Sequence, residues 1–269
     1  NSVVGDVQGN ADRLLAHAKQ CCAGTAPDLL VFPELFLTGY PPEDLLLRPQ
    51  FLQQVQQALA QLAESLPVPV LLGAPAGSLG ELYNAAYLIQ DKQAVVVCRK
   101  QSLPNYGVFD EKRYFVEGLE SSLIDFKGYQ LGVAICEDLW TKPVAAALKG
   151  AGAQCILSLN ASPYHQGKQQ QRMANMAQRG AETGLPIAYV NLHGAQDEVV
   201  FDGGSFVVDA GVVAQAPRYQ SADLAFDFDG VCFSELHGQT EQQLDKWEDV
   251  YLALVLATRD YVNKNNFKG

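Results

Sequence analysis

Leu131-Gly132-Val133-Ala134-Ile135-Cys136-Glu137-Asp138-Leu139-Trp140 is the stretch that decides how this 269-residue chain folds. Leu131, Val133 and Ile135 alternate with Gly132 and Ala134, and an unbroken run of small and branched apolar residues suits a strand covered on both faces. Cys136 follows at the C-terminal end, where the chain leaves the core for Glu137 and Asp138. Open α/β sheets place their chemistry at that end of their strands. Taken alone, Cys136 reads as a small core hydrophobe, as most cysteines outside disulfides are. Two further strand ends change that reading.

Asp28-Leu29-Leu30-Val31-Phe32-Pro33-Glu34 is a second apolar run, and Pro33 ends it by removing a ladder donor. Ala94-Val95-Val96-Val97-Cys98-Arg99-Lys100 is a third. Three strands therefore finish in a carboxylate, an ammonium and a thiol. Side by side, they supply a nucleophile (Cys136), a base for its proton (Glu34) and a fixed cation (Lys100). The cation favours the thiolate and later an anion forming on a substrate oxygen. Each charge alone is an ordinary polar residue at a strand end; the argument rests on the coincidence of three.

The wording around these residues is similar to that of a known family. Phe32-Pro33-Glu34-Leu35-Phe36-Leu37-Thr38-Gly39-Tyr40, Arg99-Lys100-Gln101-Ser102-Leu103-Pro104-Asn105-Tyr106 and Ile135-Cys136-Glu137-Asp138-Leu139-Trp140 resemble the three catalytic segments of the nitrilase (carbon–nitrogen hydrolase) superfamily, in its order. Within it, Pro41 to Leu46, Leu103 to Phe115, Asn160-Ala161-Ser162-Pro163-Tyr164 and Phe201-Asp202-Gly203-Gly204-Ser205 most resemble glutaminase domains of glutamine-dependent NAD synthetases. The resemblance runs over nearly the whole chain. It implies a four-layer α-β-β-α sandwich and Glu34, Lys100 and Cys136 as the catalytic set. It implies Glu111 as a second glutamate close to Lys100; on composition alone Glu111 is a surface charge in Asp110-Glu111-Lys112-Arg113.

The same resemblance gives the substrate residues. Tyr40 would help orient Glu34, and Tyr106 and Glu137 would contact L-glutamine, Glu137 pairing with its α-amino group. Ser162 and Lys168 would hold the α-carboxylate or line a channel mouth, although a helix start explains Ser162 nearly as well. Residues 1–269 would form one glutaminase domain. The ATP-dependent synthetase domain that uses its ammonia to make NAD would be absent from these residues, to be met in a longer chain or in trans. ATP and Mg would belong to that half; no cofactor and no metal is expected here. Assembly into a homo-oligomer is a further implication. The alternative function is a stand-alone amidase or carbamoylase acting on another small carboxamide, and a third is a non-catalytic module. A Cys–His site with His193 or His165 is the competing chemistry, but it leaves Glu34 and Lys100 without a role.

Composition sets the outer bounds. Hydrophobic residues make up 48% of the chain and charged ones 18%, which is globular. A net charge of −11 argues against nucleic acid or an anionic membrane as partner, since both want clustered Lys and Arg. No run approaches the ~20 apolar residues of a membrane span, and no signal peptide is visible, so a cytoplasmic location is expected. The six cysteines show no C-x-x-C spacing.

Among the elements, Asn10 is expected to cap a helix over Ala11 to Cys22, and Phe51 to Leu66 repeats at helical spacing. Turns at Asp91-Lys92, Lys127-Gly128 and Asp209-Ala210-Gly211 predict hairpins, the first two delivering Lys100 and Cys136. Gln101 to Gly118 reads as an irregular, aromatic-rich wall or lid. Helices are expected over Pro143 to Gly150, Gln166 to Glu182 and Gln243 to Lys264. The last carries Leu244, Trp247, Val250, Tyr251 and Leu254 on one side, to pack on its own sheet or on a partner.

Overall fold

The computed structural model describes residues 1–238 and 244–267 of the sequence. They divide into two compact units, one over Ser2–Glu120 and one over Ser121–Gly269 together with Asn1.

The first unit opens with α1 (Val7–Cys21), β1 (Leu30–Val31) and α2 (Pro49–Ser65). It continues with β2 (Val70–Ser78), β3 (Glu81–Gln90) and β4 (Gln93–Arg99). The sheet order is β1-β2-β3-β4, with β1 and β2 parallel and the rest antiparallel. Helix α1 starts earlier than expected because Asp6, not Asn10, caps it, accepting from Gly9 N at 3.0 Å. Asn10 is instead fully buried, and its amide donates to the carbonyls of Val3 (2.8 Å) and Leu37 (3.1 Å). Helix α2 is the expected one: Phe51, Val55, Ala58, Leu59 and Leu62 form its buried stripe. Asp91 and Lys92 both take positive φ (50° and 59°), as a tight two-residue hairpin requires, and this turn returns β4 toward Lys100.

The second unit holds β5 (Leu123–Phe126), β6 (Tyr129–Ile135), α3 (Lys142–Gly150), β7 (Cys155–Asn160) and α4 (Lys168–Thr183). Next come β8 (Ile187–Asn191), β9 (His193–Gln196), β10 (Val199–Asp202), β11 (Phe206–Val208) and β12 (Val212–Gln215). The unit ends with β13 (Ala225–Phe228), β14 (Phe233–His237) and α5 (Lys246–Lys264). Its main sheet runs β12-β11-β8-β7-β6-β5, parallel through β6, β7 and β8 and antiparallel at both edges. Ala134, Ile156, Ile187, Tyr189, Phe206 and Val208 share one core cluster with Val144 and Leu148 of α3 and Met176 of α4. Every position of β7 is buried, as is β6 from Leu131 onward, so these strands are covered on both faces.

Two hairpins, β9–β10 and β13–β14, were not expected from the sequence. Helix α5 departs most. The expected start at Gln243 lies outside the described residues. The residues that α5 buries are Asp249, Ala253, Leu256 and Asp260, while Trp247, Tyr251 and Leu254 are exposed. Asp260 Oδ2 accepts from Ala195 N (2.8 Å) and Asn1 Nδ2 (2.7 Å), and Asp249 pairs with Arg218 (2.6 Å). The buried face joins these polar anchors to Ala253 and Leu256, which pack with Ala195 and Tyr219, and most of the expected apolar stripe is left outside.

Candidate active site

In the first unit a buried charge cluster forms at the ends of β1 and β4. Lys100 Nζ donates to Glu34 Oε1 at 2.7 Å and to Glu111 Oε1 at 2.8 Å. Lys100 and Glu34 are each 1% exposed and Glu111 is 5% exposed, so a cation and two carboxylates lie out of water together. Glu111 is thus no surface charge. A short 3₁₀ turn, Glu111–Arg113, carries it inward, with Glu111 N donating to Pro104 O (3.2 Å). Burial pushes the Glu111 carboxyl above its ordinary range; Lys100 opposes this and Glu34 adds to it.

The backbone here is built for close approach. Glu34 lies in the turn three residues beyond the end of β1, and the next residue, Leu35, has φ 45°. Gly73 of β2 faces it, where a Cβ would meet Leu35 N, Pro33 O and Glu34 Cα. Lys100 is clamped through its main chain: its N–H donates to Asn84 O (2.8 Å) and its carbonyl accepts from Gly118 N (2.8 Å). Asn84 also donates from its side chain to Glu34 Oε1 at 2.7 Å. This residue is fully buried in β3, and sequence reasoning missed it. Its signal was an asparagine inside the apolar run Leu82 to Ile89, where strands disfavour one.

Tyr40 is buried, and its hydroxyl donates to Glu111 Oε1 at 2.9 Å. Glu111 Oε1 is thus shared by the Tyr40 hydroxyl and the Lys100 ammonium. Between Lys100 and Gly118 the chain is irregular apart from the one 3₁₀ turn. Tyr106 in this loop is 58% exposed and meets Phe109 edge-on at 5.6 Å. A pocket of about 200 Å³ is lined by Tyr40, Pro41, Val108, Phe109, Glu111 and Tyr114.

In the second unit β6 ends at Ile135, and Cys136 takes φ 46°, a left-handed conformation that costs a non-glycine residue energy. Asp138, fully buried, accepts from Ile135 N at 3.0 Å and closes the 3₁₀ turn Cys136–Leu139. Cys136 is 4% exposed and Glu137 half-buried. Lys168, the first residue of α4, sets its ammonium 3.8 Å from the Trp140 ring centroid. Burial and then Arg172 lower the Lys168 pKa, while Cys136 and Glu137 raise it, so these groups share one electrostatic neighbourhood. Ser162 is buried, its Oγ accepting from Arg172 Nε at 3.0 Å.

The competing histidine is otherwise engaged. His193 Nδ1 lies 3.1 Å from Ser221 Oγ, and Nε2 has no hydrogen-bond partner among the described residues. Burial pushes the His193 pKa down to about 4, which leaves a poor proton acceptor. His165 is exposed.

Residues 1–224 match the sequence pattern of the carbon–nitrogen hydrolase family. The chain belongs to that family. A glutamine-dependent NAD(+) synthetase of Xylella fastidiosa is 42% identical over 98% of this chain and 50% of its own length. One from Acinetobacter baylyi is 36% identical over 99% of this chain and 50% of its own. The chain thus spans about half the length of these relatives. Among solved structures, the glutamine-dependent NAD+ synthetase of Acinetobacter baumannii superposes with a TM-score of 0.92 at 37% identity, covering 100% of this chain and 52% of that one. A variant of an amidase from Nesterenkonia, with acrylamide added at its active-site cysteine, gives a TM-score of 0.70 at 25% identity, over 81% of this chain and 86% of its own. The fold is the mixed α/β fold of the nitrilase superfamily, and each unit described above contributes a sheet with helices. No described helix is long and apolar enough to cross a membrane.

Proposed function

We infer that this carbon–nitrogen hydrolase releases ammonia from L-glutamine through a thioester on Cys136. The observation that carries the reading is the Glu34–Lys100–Glu111 cluster. Burying one ammonium between two carboxylates costs several kcal/mol of desolvation per ion, and perturbed, buried charge clusters are characteristic of catalytic sites. In this proposal Glu34 takes the Cys136 proton and the thiolate sulfur attacks the carboxamide carbon. Lys100 and the Glu137 N–H stabilise the oxyanion. The C–N bond breaks as Glu34 returns the proton to the departing nitrogen, and ammonia leaves. Water then adds to the thioester, giving glutamate and the free thiol. Glu111 and Tyr40 hold Lys100 in place, and Tyr106 contacts the substrate. Glu137 meets its α-amino group; Ser162 and Lys168 meet its α-carboxylate.

The names of the relatives support a destination for the ammonia: an NAD synthetase half, with ATP and Mg confined to that half and neither cofactor nor metal assigned to residues 1–269 as a single glutaminase domain. Homo-oligomeric assembly is part of the same reading. The second reading, a stand-alone amidase, draws on the likeness to the Nesterenkonia enzyme. The charges of Glu137 and Lys168 around Cys136 favour a zwitterionic amide over a neutral one.

The test is intact-protein mass after incubation with a γ-chloroketone analogue of L-glutamine, on wild type and Cys136→Ala. A single adduct, blocked by excess L-glutamine and absent from the variant, is expected. Labelling at Cys136 without glutamine protection would sink the glutaminase reading in favour of another amide.

A further inference from the structure

Arg172 lies on α4 with its side chain fully buried, and every one of its five N–H donors is used. Nε donates to Ser162 Oγ at 3.0 Å. Nη1 donates to Gln169 Oε1 (3.0 Å) and Asp202 Oδ1 (2.8 Å). Nη2 donates to the carbonyls of Ser162 (2.7 Å) and Pro163 (2.9 Å). The guanidinium has no donor left for a ligand: three of its five hold the Ser162-Pro163 segment, and its charge is paired with Asp202.

That commitment fixes the sense of the Ser162 hydrogen bond. A guanidinium never accepts, so Ser162 Oγ must accept from Arg172 Nε, and its own proton must point elsewhere. The Ser162 backbone is held from the other side as well: its N–H donates to Asn191 Oδ1 at 3.0 Å, and Asn191 Nδ2 donates to Gly203 O at 2.9 Å. Arg172 is itself oriented from behind. Asp202 Oδ2 accepts from Arg218 Nε (2.9 Å), and Arg218 pairs with Asp249 of α5 (2.6 Å). One turn before Arg172 on the same helix, the half-buried Lys168 ammonium makes no ion pair among the described residues.

We propose that Arg172 is a positioning residue that presents Ser162 as an obligatory hydrogen-bond donor to the substrate's carboxylate. This rests on the reading of Ser162 as a substrate contact. It assigns the preference for a hydrogen-bond acceptor at that position to a side chain that never touches the substrate.

The test measures protection of Cys136 from iodoacetamide, followed by peptide mass, as L-glutamine is titrated. It reads glutamine affinity without turnover. Arg172→Lys and Ser162→Ala should each raise the half-protecting concentration about tenfold, the loss expected for one hydrogen bond to a charged group. The double variant should be no worse than the weaker single one, because both remove the same contact. Protection of Arg172→Lys at the wild-type concentration, or losses that multiply in the double variant, would overturn the proposal. A wild type that glutamine does not protect overturns the glutaminase reading itself, and this inference with it. If Arg172→Lys opens the fold, the buried Cys98 and Cys155 become alkylated too. Asp202→Asn then replaces it in the same cycle, with the same two outcomes.

Discussion

Lys100 shows what a buried charge demands of its neighbours. Its ammonium meets Glu34 and Glu111 at 2.7 and 2.8 Å, leaving the trio with one net negative charge. Lys100→Met should cost about 3–5 kcal/mol at neutral pH, since two carboxylates would stay buried without a cation. The pH dependence has a definite sign. The folded-state pKa of Glu111 is raised above 4.5, chiefly by burial. Its contribution is therefore fully present below 4.5 and is lost as pH rises through the folded value. Without Lys100 the rise is larger, so the variant should gain stability as pH falls from 8 toward 5. Urea midpoints at several pH values check this; a midpoint that falls steadily with acidity would refute it. Cys136 stores strain of another kind. At φ 46° glycine is at ease and alanine is not, so Cys136→Gly should be about 1 kcal/mol more stable than Cys136→Ala. Equal urea midpoints for the two would show that the left-handed turn relaxes freely.

At the scale of elements, the strand ends do the placing, and here the sequence was most legible. Three apolar runs closing on Glu34, Lys100 and Cys136 were readable from alternation and from Pro33. So were the turns at Asp91-Lys92 and Lys127-Gly128, where Asp91 and Gly128 are residue types that tolerate the positive φ all four positions adopt. Asn84 and Gly73 were not legible, because their importance lies in what faces them across a ladder. Gly73→Ala should push against the Glu34 backbone, whose Cα would lie 2.7 Å from the new methyl. Ammonia release from glutamine should fall at least tenfold, with about 1–3 kcal/mol lost from stability as for other overpacked sites. Activity at the wild-type level would mean that β1 and β2 can slide apart at no cost to the site.

For the molecule as a whole, the least legible feature was the seat of α5. Helical spacing exposes an apolar stripe to a reader of the sequence, but the face that is buried carries Asp249 and Asp260, whose partners Arg218, Ala195 and Asn1 lie far away along the chain. Asp260→Asn should lower the thermal midpoint, losing about 1–3 kcal/mol, because a carboxylate accepting from Ala195 N and Asn1 Nδ2 becomes a weaker acceptor. An unchanged midpoint would assign the anchoring to Ala253 and Leu256 alone. The buried quartet Arg172, Asp202, Arg218 and Asp249 has a last consequence. Its charges cancel, and each member is bonded to the next. Losing any one leaves an uncompensated charge in the interior, so single steps away from this arrangement are closed to drift. The four positions are expected to be inherited as a block, replaced together or kept together.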